Sequence, residues 1–422
     1  ALIDACEDVV SSSYTRDYPL VAERGEGSWI IDPDGNEFLD VTAGIAVCAT
    51  GHSHPEIVGA IAEQAAKLIH MSGTDFYYAP QTQLAAALSH RVPVKGGPAR
   101  AHFSNSGAEA NEAAMKLARW STRRPNFISF ANSFHGRTYG TMSLTASKVR
   151  QREGFGPFLP GVHHTIYPDA YRMGGPERAT RICLDHLEEM FLTVVPAKEV
   201  AAIFVEPIQG EGGYVIPPDA FLIALRALCD EHGILLVFDE VQSGMGRTGK
   251  LWACEHSGVK PDILTSAKGI ASGMPLGATF ASRELMSWPP GAHASTFGGN
   301  PISCAAALKT LEILDRELIA NAQTVGAVLV DALQRAVGNH PRVGDIRGRG
   351  LMIGVELVKD RETRERDPEL RNRVVTACFE HGLLILGCGR NTIRFASALS
   401  ISPDEARLAA ELFADALAAS VR

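Results

Sequence analysis

Residues 233–240 read Gly-Ile-Leu-Leu-Val-Phe-Asp-Glu, five apolar side chains in a row between a glycine and two carboxylates. Such a run leaves no face for water, so it predicts a strand of a parallel sheet covered on both sides. Just upstream, residues 220–232 place Phe221, Leu222, Leu225 and Leu228 at helical spacing and stop at Gly233. Before that helix lies AAIFV at 201–205, and FISF at 127–130 lies earlier still; Ile263-Leu264-Thr265 comes after the first run. Strand and helix patterns in alternation predict an α/β fold, a mainly parallel sheet with helices on both faces.

Outward from this middle the pattern changes. Residues 55–70 open with Pro55 and space Ile57, Val58, Ile61, Ala65 and Leu68 along one helical face. Residues 29–40 (WIIDPDGNEFLD) predict a hairpin around Asp34-Gly35. Beyond Pro301 come an Ala-rich helical stretch at 302–316, short strands within 344–357 and 383–386, and a helix at 403–421 capped by Ser402. We expect a large domain over 56–310 and a smaller α+β domain over 311–422, with segment 1–55 packing on the small one.

Composition narrows the function. The 422 residues carry a net charge of −8, which argues against a general affinity for nucleic acid or anionic membranes. The apolar runs are strand-sized, so no membrane partner is expected. No basic, apolar leader opens the sequence, and the missing first Met decides nothing. The eight cysteines are scattered without a C-x-x-C pair, which predicts reduced thiols and a cytoplasmic location. Neither His52 and His54 nor His163 and His164 match a metal-ligand spacing, and no metal is expected.

The residues at the strand ends carry the chemistry. Glu206 comes directly after AAIFV, Asp239 after ILLVF, Lys268 just past Ile263-Leu264-Thr265, and His135 and Arg137 after FISF. In open parallel sheets ligands bind beyond the carboxyl ends of the strands, so these groups should share one crevice. Lys268 sits among small residues, Ser266-Ala267-Lys268-Gly269-Ile270-Ala271-Ser272-Gly273. That setting leaves room at its tip and disfavours its charge, as an amine nucleophile requires; a plain surface lysine is the alternative. Asp239, at the end of an apolar strand, needs a cationic partner such as a protonated ring nitrogen, or else caps a turn. Ser106, Gly107 and Ala108 precede the Ala-rich run 113–120 and would offer backbone N–H groups to an anion, or form an ordinary Ser-capped helix.

Two other glycine patterns point elsewhere and are discounted. Gly244-x-Gly246-x-x-Gly249-Lys250 has Leu251 where a P-loop needs a hydroxyl, and its first glycine lies too far beyond the strand for a dinucleotide turn. No G-x-S-x-G elbow exists.

The ordered motifs DVTAGIAVCATGHSHP, SNSGAEANEAAMKLAR, FHGRTYGTMSLT, FVEPIQGEGGY, LLVFDEVQSGMGRTG, SAKGIASGMPLGA, STFGGNP, RGRGLMIGVEL and NTIRF span nearly the whole chain. Together they resemble the class III aminotransferases, fold type I pyridoxal-phosphate enzymes, and are most similar to the bacterial 4-aminobutyrate aminotransferases. The resemblance implies pyridoxal 5'-phosphate held by Lys268 as a Schiff base, with Asp239 on the ring nitrogen and Gln242 on the phenolic oxygen. It places Phe134 on the ring face beside His135, and the phosphate on Ser106, Gly107 and Ala108. Thr296 would reach that phosphate from the other subunit of a homodimer, itself free to pair into a dimer of dimers. Arg137 would take a distal carboxylate, Arg394 an α-carboxylate, and Glu211 would neutralise Arg394 when that carboxylate is missing; Ile45 would line the substrate chain. The glycines around Glu211 would permit the motion this switch needs. The implied partners are an amino donor, 4-aminobutyrate first, and a 2-oxo acid, 2-oxoglutarate. Acetylornithine and ornithine aminotransferases share nearly every motif, and some members of the family are amino-acid racemases or epimerases. Ser397-Ala398 stands after IRF where close relatives often carry proline, which leaves that end of the pocket open to difference.

Overall fold

The computed structural model describes residues 2–421. Seven strands form the central sheet: β1 (Ala99–Ser104), β2 (Asn126–Phe130), β3 (Val162–Thr165), β4 (Val200–Val205), β5 (Leu235–Asp239), β6 (Ile263–Ser266) and β7 (Gly277–Ser282). Their order is β1-β7-β6-β5-β4-β2-β3. Neighbours run parallel except at β7, which is antiparallel to both β1 and β6. The apolar run at 234–238 therefore lies in the middle of a mainly parallel sheet. Alternate residues feed two apolar layers: Ile203, Val205, Leu236 and Phe238 on one face, Ala202, Phe204 and Val237 on the other. Each fully buried side chain the size of Val, Leu, Ile or Phe contributes about 1.5–3 kcal/mol.

Helix α1 (Gly107–Thr122) and helix α2 (Asp219–His232) cover the sheet, and α2 ends where Gly233 takes φ +60°. The helix expected over 55–70 runs Pro55–Lys67 and stops at Leu68, which is extended. The stretch 302–316 divides: an α-helix, Pro301–Ile313, passes through a π-helical turn, Leu314–Leu318, into a further helix, Ile319–Val337. Residues 29–40 do form a hairpin, with Trp29–Ile31 antiparallel to Glu37–Asp40 and Asp32 Oδ1 accepting from Asp34 N and Asn36 N across the turn. Residues 383–386 split between two sheets. Leu383–Leu384 adds parallel to Glu37–Asp40, whereas Leu386–Cys388 pairs with Thr392–Phe395 in a sheet that also holds Val343–Arg349 and Met352–Leu357. The N-terminal strands and the C-terminal third are thus joined by backbone hydrogen bonds. Among the described residues no helix is long and apolar enough to cross a membrane.

Candidate active site

The ends of β2, β4, β5 and β6 open on a cavity of about 420 Å³, a size suited to a small cofactor with its substrate. Ser106, Gly107, Ala108, Phe134, His135, Arg137, Asp239, Gln242 and Lys268 line it, together with Glu206, Asn111, Val241 and Val47.

Asp239 is buried at the floor and held by three hydrogen bonds. Its Oδ2 meets His135 Nδ1 at 2.8 Å and accepts from Asn111 Nδ2 at 2.7 Å, while Oδ1 accepts from Val241 N at 3.0 Å. These hydrogen bonds fix the carboxylate at the floor of the cavity. Asn111 is fixed in turn by Thr265 Oγ1, which donates to its Oδ1 at 2.8 Å. His135 Nε2 is buried and has no hydrogen-bond partner among the described residues. Glu240, the next residue after Asp239, points to the opposite side and accepts from Ala253 N at 2.6 Å and Cys254 N at 2.8 Å. The pair of carboxylates thus divides into one at the cavity and one that braces a turn.

Lys268 begins a short 3-10 turn directly after β6 and holds φ +48°, a left-handed conformation that costs a non-glycine residue about 1–2 kcal/mol. Burial pushes its ammonium below the usual lysine range, against the pull of Glu211, Asp239 and Glu206. Glu206, at the end of β4, accepts from Phe134 N at 3.0 Å and Gly210 N at 2.8 Å. Burial drives its carboxyl up to about 7, with His135 opposing and Asp239 adding.

At the far end of the cavity Ser106 caps α1, its Oγ accepting from Glu109 N at 3.2 Å. Gly277 lets β7 press against this corner, since a Cβ there would stand 2.2 Å from Ser106 O. A helix N-terminus, with its backbone N–H groups and dipole, suits an anion. A carboxylate at one end, a helix N-terminus at the other and a depressed lysine beside them fit a cationic ring that bears a phosphate and an aldehyde.

The remaining expected residues lie around this cavity. Arg137 is exposed at its mouth, its guanidinium 5.8 Å from the Phe134 ring centre. Gln242 accepts from Tyr214 Oη at 2.8 Å. Glu211 forms an ion pair with Arg394 and lies 3.4 Å from Lys148 Nζ. Burial raises the Glu211 carboxyl, but Arg394, Lys148 and Lys268 overcome it and hold the group at about 2. Arg394 is buried and, despite that burial, held above the usual range by Glu211. Four expected residues do not line the cavity: Glu211 and Arg394, which lie near Lys268, and Ile45 and Thr296. Ile45 is 44% exposed on a left-handed turn over residues 43–46, and Val47 reaches the cavity instead. Thr296 is exposed and does not line the cavity of its own chain. Asn111 and Val241 also line the cavity and carry little signal in the sequence. The signal for Asn111 is a lone amide among the alanines of an inward helix face, Ala110, Ala113 and Ala114.

Known proteins match along the whole chain. The model of the family described as "Aminotransferase class-III" matches residues 10–417. The chain belongs to the class III aminotransferases. It is 38% identical over 408 residues to isoleucine 2-epimerase of Lentilactobacillus buchneri, covering 95% of this chain and 90% of that one. It is 40% identical over 399 residues to the 4-aminobutyrate aminotransferase of Mycobacterium leprae, covering 92% and 88%. A crystal structure of an amine transaminase from an uncultivated Pseudomonas species, with pyridoxal phosphate bound, superposes with a TM-score of 0.87 at 35% identity over 98% of this chain and 97% of that one. Pyridoxal phosphate is the cofactor of this class III aminotransferase, and its fold is the fold type I architecture of such enzymes.

Proposed function

We propose that the chain moves the amino group of an ω-amino acid, 4-aminobutyrate foremost, to 2-oxoglutarate, giving the semialdehyde and glutamate. The observation that carries this reading is the ion pair of Glu211 with a buried Arg394 close to Lys268, with a second, exposed arginine, Arg137, at the mouth. A buried guanidinium needs an anion, so a cavity that serves donors both with and without an α-carboxylate needs an internal substitute. When bound, pyridoxal phosphate supplies an aldehyde that condenses with amines and a ring that draws electrons from the adjoining carbon.

The residues of the chain hold and time that chemistry. Asp239 would hold the ring nitrogen, with His135 and Asn111 fixing the carboxylate. Phe134 and Val241 would hold the ring between them, Gln242 would take its phenolic oxygen, and Ser106, Gly107 and Ala108 would offer N–H groups to the phosphate; all six line the cavity. Lys268, whose charged form burial disfavours, accepts the proton from the donor's carbon and returns it, proximity replacing a bulk base. Arg137 orients the distal carboxylate and Arg394 the α-carboxylate of glutamate.

We place the domain boundaries at 55/56 and 310/311 and the enzyme in the cytoplasm, in line with eight free cysteines. A homodimer would bring Thr296 to the partner's phosphate corner. Turnover of a donor panel (4-aminobutyrate, ornithine, N-acetylornithine, β-alanine, lysine and chiral leucine), measured with and without 2-oxoglutarate, tests the reading. The expected result is 2-oxoglutarate-dependent turnover that favours ω-amino acids. The similarity to an isoleucine 2-epimerase favours a second reading, racemisation at an α-carbon. Scrambled leucine chirality without any 2-oxo acid would select it and sink the first.

A further inference from the structure

Freedom of the glycine turn around Glu211, the sequence expectation for a switching carboxylate, is not what the structure holds. Glu211 O accepts from Gly389 N at 2.7 Å, Gly213 O from Arg347 Nη2 at 2.6 Å, and Tyr214 O from Arg347 Nε at 3.0 Å. A Cβ on Gly212 would stand 2.5 Å from Gln209 Oε1 and 2.7 Å from Asn132 O. Glycine at 212 serves close packing, and the turn backbone is clamped at Glu211 and just beyond it. A switch here must therefore be a rotation of the side chain, and the rotated carboxylate needs somewhere to go.

That place is occupied by a cation. Glu211 Oε1 binds Arg394 Nη1, while Oε2 lies 3.4 Å from Lys148 Nζ. The two cations belong to different parts of the fold: Arg394 to strand Thr392–Phe395 of the C-terminal sheet, Lys148 to the segment after helix Tyr139–Leu144. Glu211 is only 14% exposed, so letting go of Arg394 with no second cation would strand a charge out of water. Lys148 is 23% exposed, and its long stem can follow the carboxylate.

We propose that Lys148 is a specificity-determining residue: it retains Glu211 when the carboxylate leaves Arg394, and so frees that arginine for an α-carboxylate without moving the backbone. The inference rests on the reading that Arg394 receives the α-carboxylate. Lys148 sets how readily the cavity accepts a ligand with two carboxylates relative to one with a single distal carboxylate.

Equilibrium binding of glutarate and of butyrate to the holoenzyme, measured by calorimetry, reads this directly. Lys148→Met should weaken glutarate about tenfold while butyrate stays within about twofold, and Lys148→Arg should restore the wild-type ratio. Unchanged glutarate binding in Lys148→Met, or an equal loss for both ligands, overturns the role of Lys148 if Arg394→Met still weakens glutarate alone. If Arg394→Met leaves the glutarate-to-butyrate ratio untouched, the α-carboxylate reading falls and the role of Lys148 falls with it.

Discussion

At Glu240 and Glu211 the same carboxyl group is pushed in opposite directions, and the cause is the company each keeps. Glu240 is buried among backbone donors, and burial lifts it to about 7. Glu211 is buried beside three cations, which hold it at about 2. From a shared reference of 4.5, the consequences for stability have opposite signs. Stability from Glu211 is complete above the unfolded pKa and is lost as pH falls toward 2. Between 4.5 and about 7 the folded chain keeps a proton on Glu240 that the unfolded chain releases, so stability drops as pH rises through that window. Glu206, also lifted to about 7, adds to the drop. Glu240→Gln should therefore flatten the decline of the urea midpoint across that window. It should also lower the unfolding free energy on the acid side by about 1–3 kcal/mol, because one amide N–H would face a backbone donor. An unaltered slope would show that Glu240 does not titrate there. At this scale the sequence exposed the catalytic candidates because ionisable groups after apolar strands are conspicuous. Asn111 and Val241 stayed hidden because an amide in a helix and a valine after a strand have ordinary packing explanations.

Elements were legible in proportion to how apolar they are. Strands β4, β5 and β6 stand at the centre of the sheet, and β4 and β5 announce themselves as apolar runs. Strand β3 is Val-His-His-Thr at the sheet edge, β1 mixes Arg100 and His102 with apolar residues, and β7 is built mostly from small residues. None of these carries a strong hydrophobic signature, yet they complete the sheet, and β7 supplies the one reversal of direction. The division of 383–386 between two sheets is likewise a tertiary fact, set by which edge each half meets. Helix Ile319–Val337 shows how packing also reverses a propensity rule. Gly326 lies in its interior, where alanine is ordinarily better by about 1 kcal/mol. Here a Cβ would stand 2.2 Å from Gly350 O, and Gly350 is itself pressed against the backbone of Thr248 and Gly249. Gly326→Ala should lower stability by about 1–3 kcal/mol in thermal or urea unfolding, the cost of overpacking a contact that cannot retreat. A gain in stability would mean that the helix can slide off the Gly350 turn.

On the scale of the whole molecule the exposed apolar surface is not evenly spread. Ile69 is 67% exposed, Tyr77 fully exposed and Phe297 62% exposed. The segments that carry them touch: the His70 and Phe297 rings lie 5.0 Å apart, and Tyr78 Oη donates to Gly299 O at 2.6 Å. Clustered apolar side chains of this size mark an interaction surface. Thr296, next to Phe297, is exposed and stands apart from the cavity of its own chain. A two-fold dimer closed through this patch would cover the apolar residues once on each subunit and carry Thr296 toward the other cavity. Phe297→Asp places a carboxylate in that contact twice over, because symmetry repeats every change, and desolvating it unpaired is costly. The variant should sediment as a folded monomer, with an unaltered far-ultraviolet spectrum and weakened retention of pyridoxal phosphate. A Phe297→Asp protein that sediments as a dimer with full cofactor content would move the interface elsewhere and leave Thr296 without a part in the site.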